Sequence, residues 1–257
     1  MKKISVFSLL FTLLFIVGCS KDDSKDNGDS PSSIPGNNLN LGASAEDLLG
    51  NDIFQNLEVE VVYPDGFQPQ AQSLENLKSF IQARTFKTKV SITQREIPAP
   101  NSAPFSIEEI REIEENNRTA FNDETTIKIF VFFANGNSAN DEGNQFTLGT
   151  AYQNTSAVIY QKTIQETTSG LTAPNIVDVE TTVLKHEFAH LLGLVDVGTP
   201  LQSDHKDPES DGHCITENCL MRAQAEFASG MIGMLEQGET PNLGAACNAD
   251  LQANGGR

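Results

Sequence analysis

The chain has 257 residues and a formal charge of −18, with 17 basic against 35 acidic side chains. That excess would repel a phosphate backbone, so nucleic-acid binding is excluded as the main activity and the acidity reads as a solvated surface. The length suits one domain of about two hundred residues with a substantial core, once the terminal segments are set aside. No internal repeat is evident, and a monomer is expected.

Lys2 and Lys3 precede the apolar run Ile4 to Val17, too short and too terminal to span a membrane but suited to a secretory signal. Residues 1–19 are read as that signal. Its end, Ile16-Val17-Gly18-Cys19, resembles a bacterial lipobox, which implies a lipidated Cys19 as the first mature residue and a membrane anchor. Ser20-Lys21-Asp22-Asp23 resembles the signal that sends some Gram-negative lipoproteins to the outer membrane, and this implies a surface-exposed protein. Residues 20–50, rich in Asp, Ser, Asn, Gly and Pro, read as a flexible tether, and residues 51–257 as the folded domain.

Within that domain Leu57 to Tyr63 alternates as a strand does, Leu74 to Ala83 reads as a helix and Lys89 to Ile97 as a second strand. Ser106-Ile107-Glu108-Glu109 is a capping box that opens a helix to about Asn117. Thr126 to Phe133, β-branched and aromatic, reads as a buried central strand. Leu148 to Tyr160 reads as one further strand, and Thr240-Pro241 as the start of a last helix that ends near Gly255.

Between these last two lies His186-Glu187-Phe188-Ala189-His190. From Val177 to Leu192 apolar residues recur at three- and four-residue intervals, with Asp178 or Asn175 to cap the start and Gly193 where the pattern stops. On such a helix His186 and His190 share a face and can converge on one metal ion. A catalytic zinc keeps three protein ligands and a water, and Glu187 beside the first histidine is placed to take that water's proton. Zn²⁺ is thus the expected cofactor.

Three residues compete for the third ligand. Spacing favours Asp196 in Gly193-Leu194-Val195-Asp196. A preference for neutral imidazoles, with Asp204 and Asp207 as outer partners, favours His205. His213 in Gly212-His213-Cys214 is the remaining candidate. The acidic stretch Asp204 to Asp211 fits no EF-hand loop.

The run His186 to Gly193 resembles the H-E-x-x-H-x-x-G motif of the metzincin zinc metallopeptidases. That resemblance implies a zincin-like α+β fold: a twisted mixed β-sheet, an active-site helix and an irregular lower subdomain ending in a helix. It implies Asp196 at the third-ligand position, where the group usually has histidine, and Met221 as the methionine of the turn beneath the ligands. Met231 and Met234, at helical spacing, read as core. The tyrosine found after the turn in some metzincins is replaced here by Arg222 and Ala223. Leu148 to Tyr160 resembles the metzincin edge strand that lines the cleft and pairs with an extended substrate.

His213, Cys214, Cys219 and Met221 also resemble the His-Cys-x4-Cys-x-Met run of archaemetzincins. Those proteins finish with a C-x-x-C pair, whereas this chain later offers only Cys247, so a second, structural zinc is not expected. In an oxidising compartment one disulfide among Cys214, Cys219 and Cys247 is expected, Cys214 to Cys219 being one choice and Cys247 to that loop another.

The sequence therefore reads as a membrane-anchored zinc endopeptidase acting on protein or peptide substrates. The competing reading is a surface-exposed binding lipoprotein with a closed structural zinc held by His186, His190, Asp196 and His205. Retention of Glu187 speaks against it, since a structural site has no use for that base.

Overall fold

Apolar residues build a sheet whose central strands are buried on both faces. The computed structural model describes residues 36–101, 103–235 and 240–257. In chain order it contains α1 (Ala45–Leu49), β1 (Asn56–Tyr63), α2 (Ala71–Arg84), β2 (Lys89–Glu96), α3 (Ile107–Asn117) and β3 (Thr126–Phe133). There follow β4 (Gly149–Gln153), β5 (Ser156–Ile159), α4 (Gln161–Thr167), α5 (Ile176–Leu191), a 3-10 turn at Ala223–Glu226, α6 (Ala228–Leu235) and α7 (Ala245–Ala253).

The five strands run in the order β2-β1-β3-β5-β4, parallel except for β4, which is antiparallel to β5 and forms an edge. Ile127, Ile129, Val131 and Phe133 of β3 pack into the larger core with α2 and α5, while Phe130 and Phe132 join Ile110 of α3 on the other side. Successive side chains of a strand point to opposite faces, so one eight-residue run serves both cores.

Buried charges on the α3 side are fully paired. Glu60 of β1 accepts from the backbone N–H groups of Thr119 and Ala120 at 2.9 Å each and from Arg95 at 3.0 Å. Glu114 of α3 meets Arg118 at 2.6 Å and also accepts from Tyr152 of β4 (2.6 Å) and Ser156 of β5 (2.7 Å). The predicted capping box is present, with Ser106 accepting from the Glu109 N–H at 3.2 Å and Glu109 from the Ser106 N–H at 2.8 Å.

Three expectations are corrected. The run Leu148 to Tyr160 is not one strand but the hairpin β4–β5. Its turn residue Asn154 is buried and donates to Gly36 (2.6 Å) and Ser44 (2.8 Å), so a polar residue placed inside the run folds it back. The tether does not extend to residue 50. Residues 36–50 belong to the folded unit, with Leu48 and Leu49 of α1 fully buried and buried Lys87 donating to the carbonyls of Asp47, Gly50 (2.6 Å) and Phe54 (2.5 Å). The last helix starts at Ala245 rather than Thr240, because Asn242 is held extended against Cys219 and accepts from the Leu220 N–H at 2.8 Å. The signal, Cys19 and the tether up to residue 35 lie outside the described residues. No helix among the described residues is long and apolar enough to cross a membrane.

Candidate metal centre

Helix α5 carries the centre. Asn175 caps it by accepting from the Val177 N–H at 2.8 Å. It ends in a Schellman turn, with Gly193 N–H bonded to His190 O (2.9 Å) and Leu194 N–H to Ala189 O (3.2 Å). Gly193 has φ +73°, and a Cβ there would lie 2.8 Å from the Thr199 backbone nitrogen, so both conformation and space call for glycine.

His186, Glu187 and His190 are all buried on this helix. His186 Nδ1 faces the Leu220 carbonyl at 2.7 Å, which leaves its Nε2 toward His190, 3.1 Å from that residue's Nε2. The third imidazole is His213. One ring nitrogen from each of His186, His190 and His213 lies within 4.8 Å of the other two. The His213 ring stacks on His186 with centroids 5.3 Å apart, and its Nδ1 is held by the Asp211 carbonyl (2.9 Å) and Ser210 (3.0 Å). Gly212 lets the loop pass, since a Cβ there would sit 3.3 Å from the His190 ring.

Neither Asp196 nor His205 joins the two helix histidines. After Gly193 the backbone takes positive φ at Val195 and Asp196, and the exposed Asp196 carboxylate turns to Lys206 at 3.2 Å. His205 is buried elsewhere, 2.6 Å from Asp250 and 3.2 Å from the Cys214 sulfur. Met221 is fully buried at the bend after Leu220, its carbonyl accepting from Cys214 N–H at 2.7 Å. Cys214, Cys219 and Cys247 are all free thiols, so the Cys214–Cys219 disulfide is not formed.

Burial lowers the pKa of His186 to about 3, assisted by His213, and also lowers those of His190 and His213. All three imidazoles are therefore neutral near pH 7 and offer lone pairs. Ligand nitrogens on a tetrahedral zinc stand about 3.3 Å apart, close to the 3.1 Å between the Nε2 atoms of His186 and His190. His213 Nε2 and Glu187 Oε1 are buried without a hydrogen-bond partner in the protein, as expected of atoms facing a metal and its water. The donor set fits zinc.

Glu187 is fixed on one side only. Its Oε2 accepts from the Ala151 N–H of β4 at 2.8 Å, leaving Oε1 free. Burial and the nearby Glu226 carboxylate hold its pKa well above the usual carboxylate range, and the Ala151 N–H opposes them.

Sequence reasoning missed three residues here. Gly149 is the floor under the base, since a Cβ would come 2.8 Å from Glu187 Cγ. Glu226 places its carboxylate 3.5 Å from His213 Nε2, and burial pushes its pKa up to about 7. Leu41, in the stretch read as tether, lines the same cleft with Thr150, Ala151 and Val197. A glycine inside a strand was the one visible signal among them.

No family model and no curated protein sequence matches the chain. Among solved structures it is similar to the archaemetzincin of Methanopyrus kandleri, at 15% identity and a TM-score of 0.50, over 78% of this chain and 96% of that one. The chain has an archaemetzincin-like fold. A metalloproteinase-II from Bacteroides fragilis aligns at 12% identity and a TM-score of 0.38, over 86% of this chain and 58% of that one.

Proposed function

We propose that the chain is a zinc-dependent endopeptidase, carried on the outer membrane by a lipid on Cys19. One observation supports this most: three neutral imidazoles meet beside a buried glutamate that is anchored at one oxygen and free at the other. His186, His190 and His213 would hold the zinc. Bound there, it would polarise a peptide carbonyl and make an attacking water more acidic.

The protein's own groups supply the rest. Glu187 Oε1 takes the proton from the attacking water and later passes it to the leaving amine. The Ala151 N–H keeps the carboxylate from rotating away. Among the described residues β4 pairs on one side only, so an extended substrate could add to its free edge and present a carbonyl to the centre.

The test uses the full chain in detergent and an unstructured casein-like substrate. Cleavage that a chelator stops, together with a Glu187→Gln variant that keeps zinc but loses at least about a thousandfold in kcat, supports the reading. Retained zinc with no cleavage by either protein across a broad peptide library would sink it.

Glu226 favours a second reading, a binding lipoprotein with a closed structural zinc, because its carboxylate stands where a fourth ligand could act. Glu226→Gln separates the two. A peptidase keeps its zinc affinity, whereas a four-ligand site loses much of it.

A further inference from the structure

The histidine centre opens on a cleft of about 280 Å³ lined by the acids Glu187, Asp211 and Glu226 and, among the described residues, by no lysine or arginine. Asp211 is exposed and already paired with Lys206 at 3.2 Å. Glu226 has no such partner. Its carboxylate stands 3.5 Å from His213 Nε2, but that ring gives its Nδ1–H to the Asp211 carbonyl 2.9 Å away, so the neutral imidazole has no proton at Nε2 to offer. Burial disfavours the charge of Glu226, and no donor among the described residues offsets it.

Backbone pairing fixes where this acid sits. The Leu148 N–H donates to the Glu226 carbonyl and the Ala228 N–H to the Phe146 carbonyl, both at 2.9 Å, and Thr147 bridges Phe227. Glu226 therefore stands beside the first residues of β4. The far end of the hairpin is taken by the N-terminal segment, where the Asn154 N–H donates to the Leu39 carbonyl at 3.1 Å and the Leu39 N–H to Asn154 Oδ1 at 3.0 Å. A peptide laid antiparallel on β4 thus has the residues before its cleaved bond toward Asn154 and those after it toward Glu226.

We propose, on the peptidase reading, that the Glu226 carboxylate receives the cationic head group of a substrate lysine or arginine, the residue immediately after the cleaved bond. With His213 Nε2 engaged by zinc, the carboxylate is left to the substrate. A hydrogen-bonded charge pair in a site largely closed to water is stronger than one on the surface. An uncharged residue there leaves Glu226 buried without a partner, and an acidic one meets it with like charge, so both are disfavoured.

Binding and cleavage, measured separately, let this proposal and the peptidase reading fail differently. The zinc-loaded full chain in detergent, carrying Glu187→Gln, should bind a fluorescently labelled peptide with one central lysine at least about tenfold tighter than its glutamine counterpart, and less selectively at high salt. Adding Glu226→Gln should bring that ratio close to one while zinc content stays. Glu226→Lys should turn the preference toward a glutamate peptide, which a merely structural role for Glu226 does not produce. Products cut by the wild type from a peptide library should carry lysine or arginine as their new first residue. Equal binding of the lysine and glutamine peptides overturns the proposal, whether or not the chain cuts. A preference confined to the residue before the cut also overturns it. Glu226-dependent binding of the lysine peptide with no cleavage of any library member supports the cation site and removes the peptidase reading.

Discussion

His213 and Asp196 differ in what holds them. The His213 ring is clamped at Nδ1 by the Asp211 carbonyl and Ser210, with Nε2 facing the helix pair, whereas Asp196 is exposed and paired with Lys206. His213→Ala should therefore lower zinc affinity by more than the 10- to 100-fold that an outer contact typically costs. Asp196→Ala removes an exposed pair, so stability should move by less than about 1 kcal/mol and zinc affinity should not move. Competition against a chelator of known affinity reads both. The reverse order of effects would return Asp196 to the centre and overturn the assignment of His213. Gly149 belongs to the same scale: it is small because Glu187 must lie against it, and that constraint comes from function as much as from the strand.

Elements are joined by polar groups that the hydrophobic pattern does not show. Glu180 of α5 accepts from the Gln70 N–H at the start of α2 (2.7 Å) and from Gln161 at the start of α4 (2.9 Å). Burial raises its pKa to about 7 from 4.5, against those bonds. In the folded chain it keeps its proton up to about pH 7, whereas the unfolded chain gives it up near 4.5. Its contribution is therefore fully present below pH 4.5 and is lost as pH rises to 7, by up to about 3 kcal/mol. Glu180→Gln should flatten the fall in stability across that window and leave the variant the more stable at pH 8. Gln161 Oε1 is buried without a partner and can turn to accept from the new amide. Denaturation midpoints from pH 4.5 to 8 check this; equal slopes for the two proteins would reject it.

Strands β1 and β3, the capped helix α3 and helix α5 were legible because their signals are local: alternation, a capping box, and a 3.6-residue stripe closed by glycine. The third imidazole was not, because His213 depends on how the loop after Gly193 folds, and loop spacing carries no closure. α4 is only seven residues long, too short for its periodicity to register. The hairpin turn and the early edge of the domain depend on Asn154 binding residues from the N-terminal segment, a contact between distant parts of the chain.

At the scale of the whole molecule, charge and anchoring make separate demands. A protein of charge −18 gains nothing electrostatically from an anionic membrane surface, and none of the described helices can span a bilayer. If the chain resides on a membrane, the lipid expected on Cys19 carries the attachment by burial of acyl chains, which salt does not screen. The intact chain should therefore remain with membranes through high-salt washes and enter the detergent phase on partitioning. Cys19→Ala should release it to the soluble fraction, folded and with its zinc, because the contacts that build the sheet and the histidine centre come from residues after Gly36. A variant that stays membrane-bound until high salt removes it would mean that surface charge holds the protein, and the lipobox reading would fall.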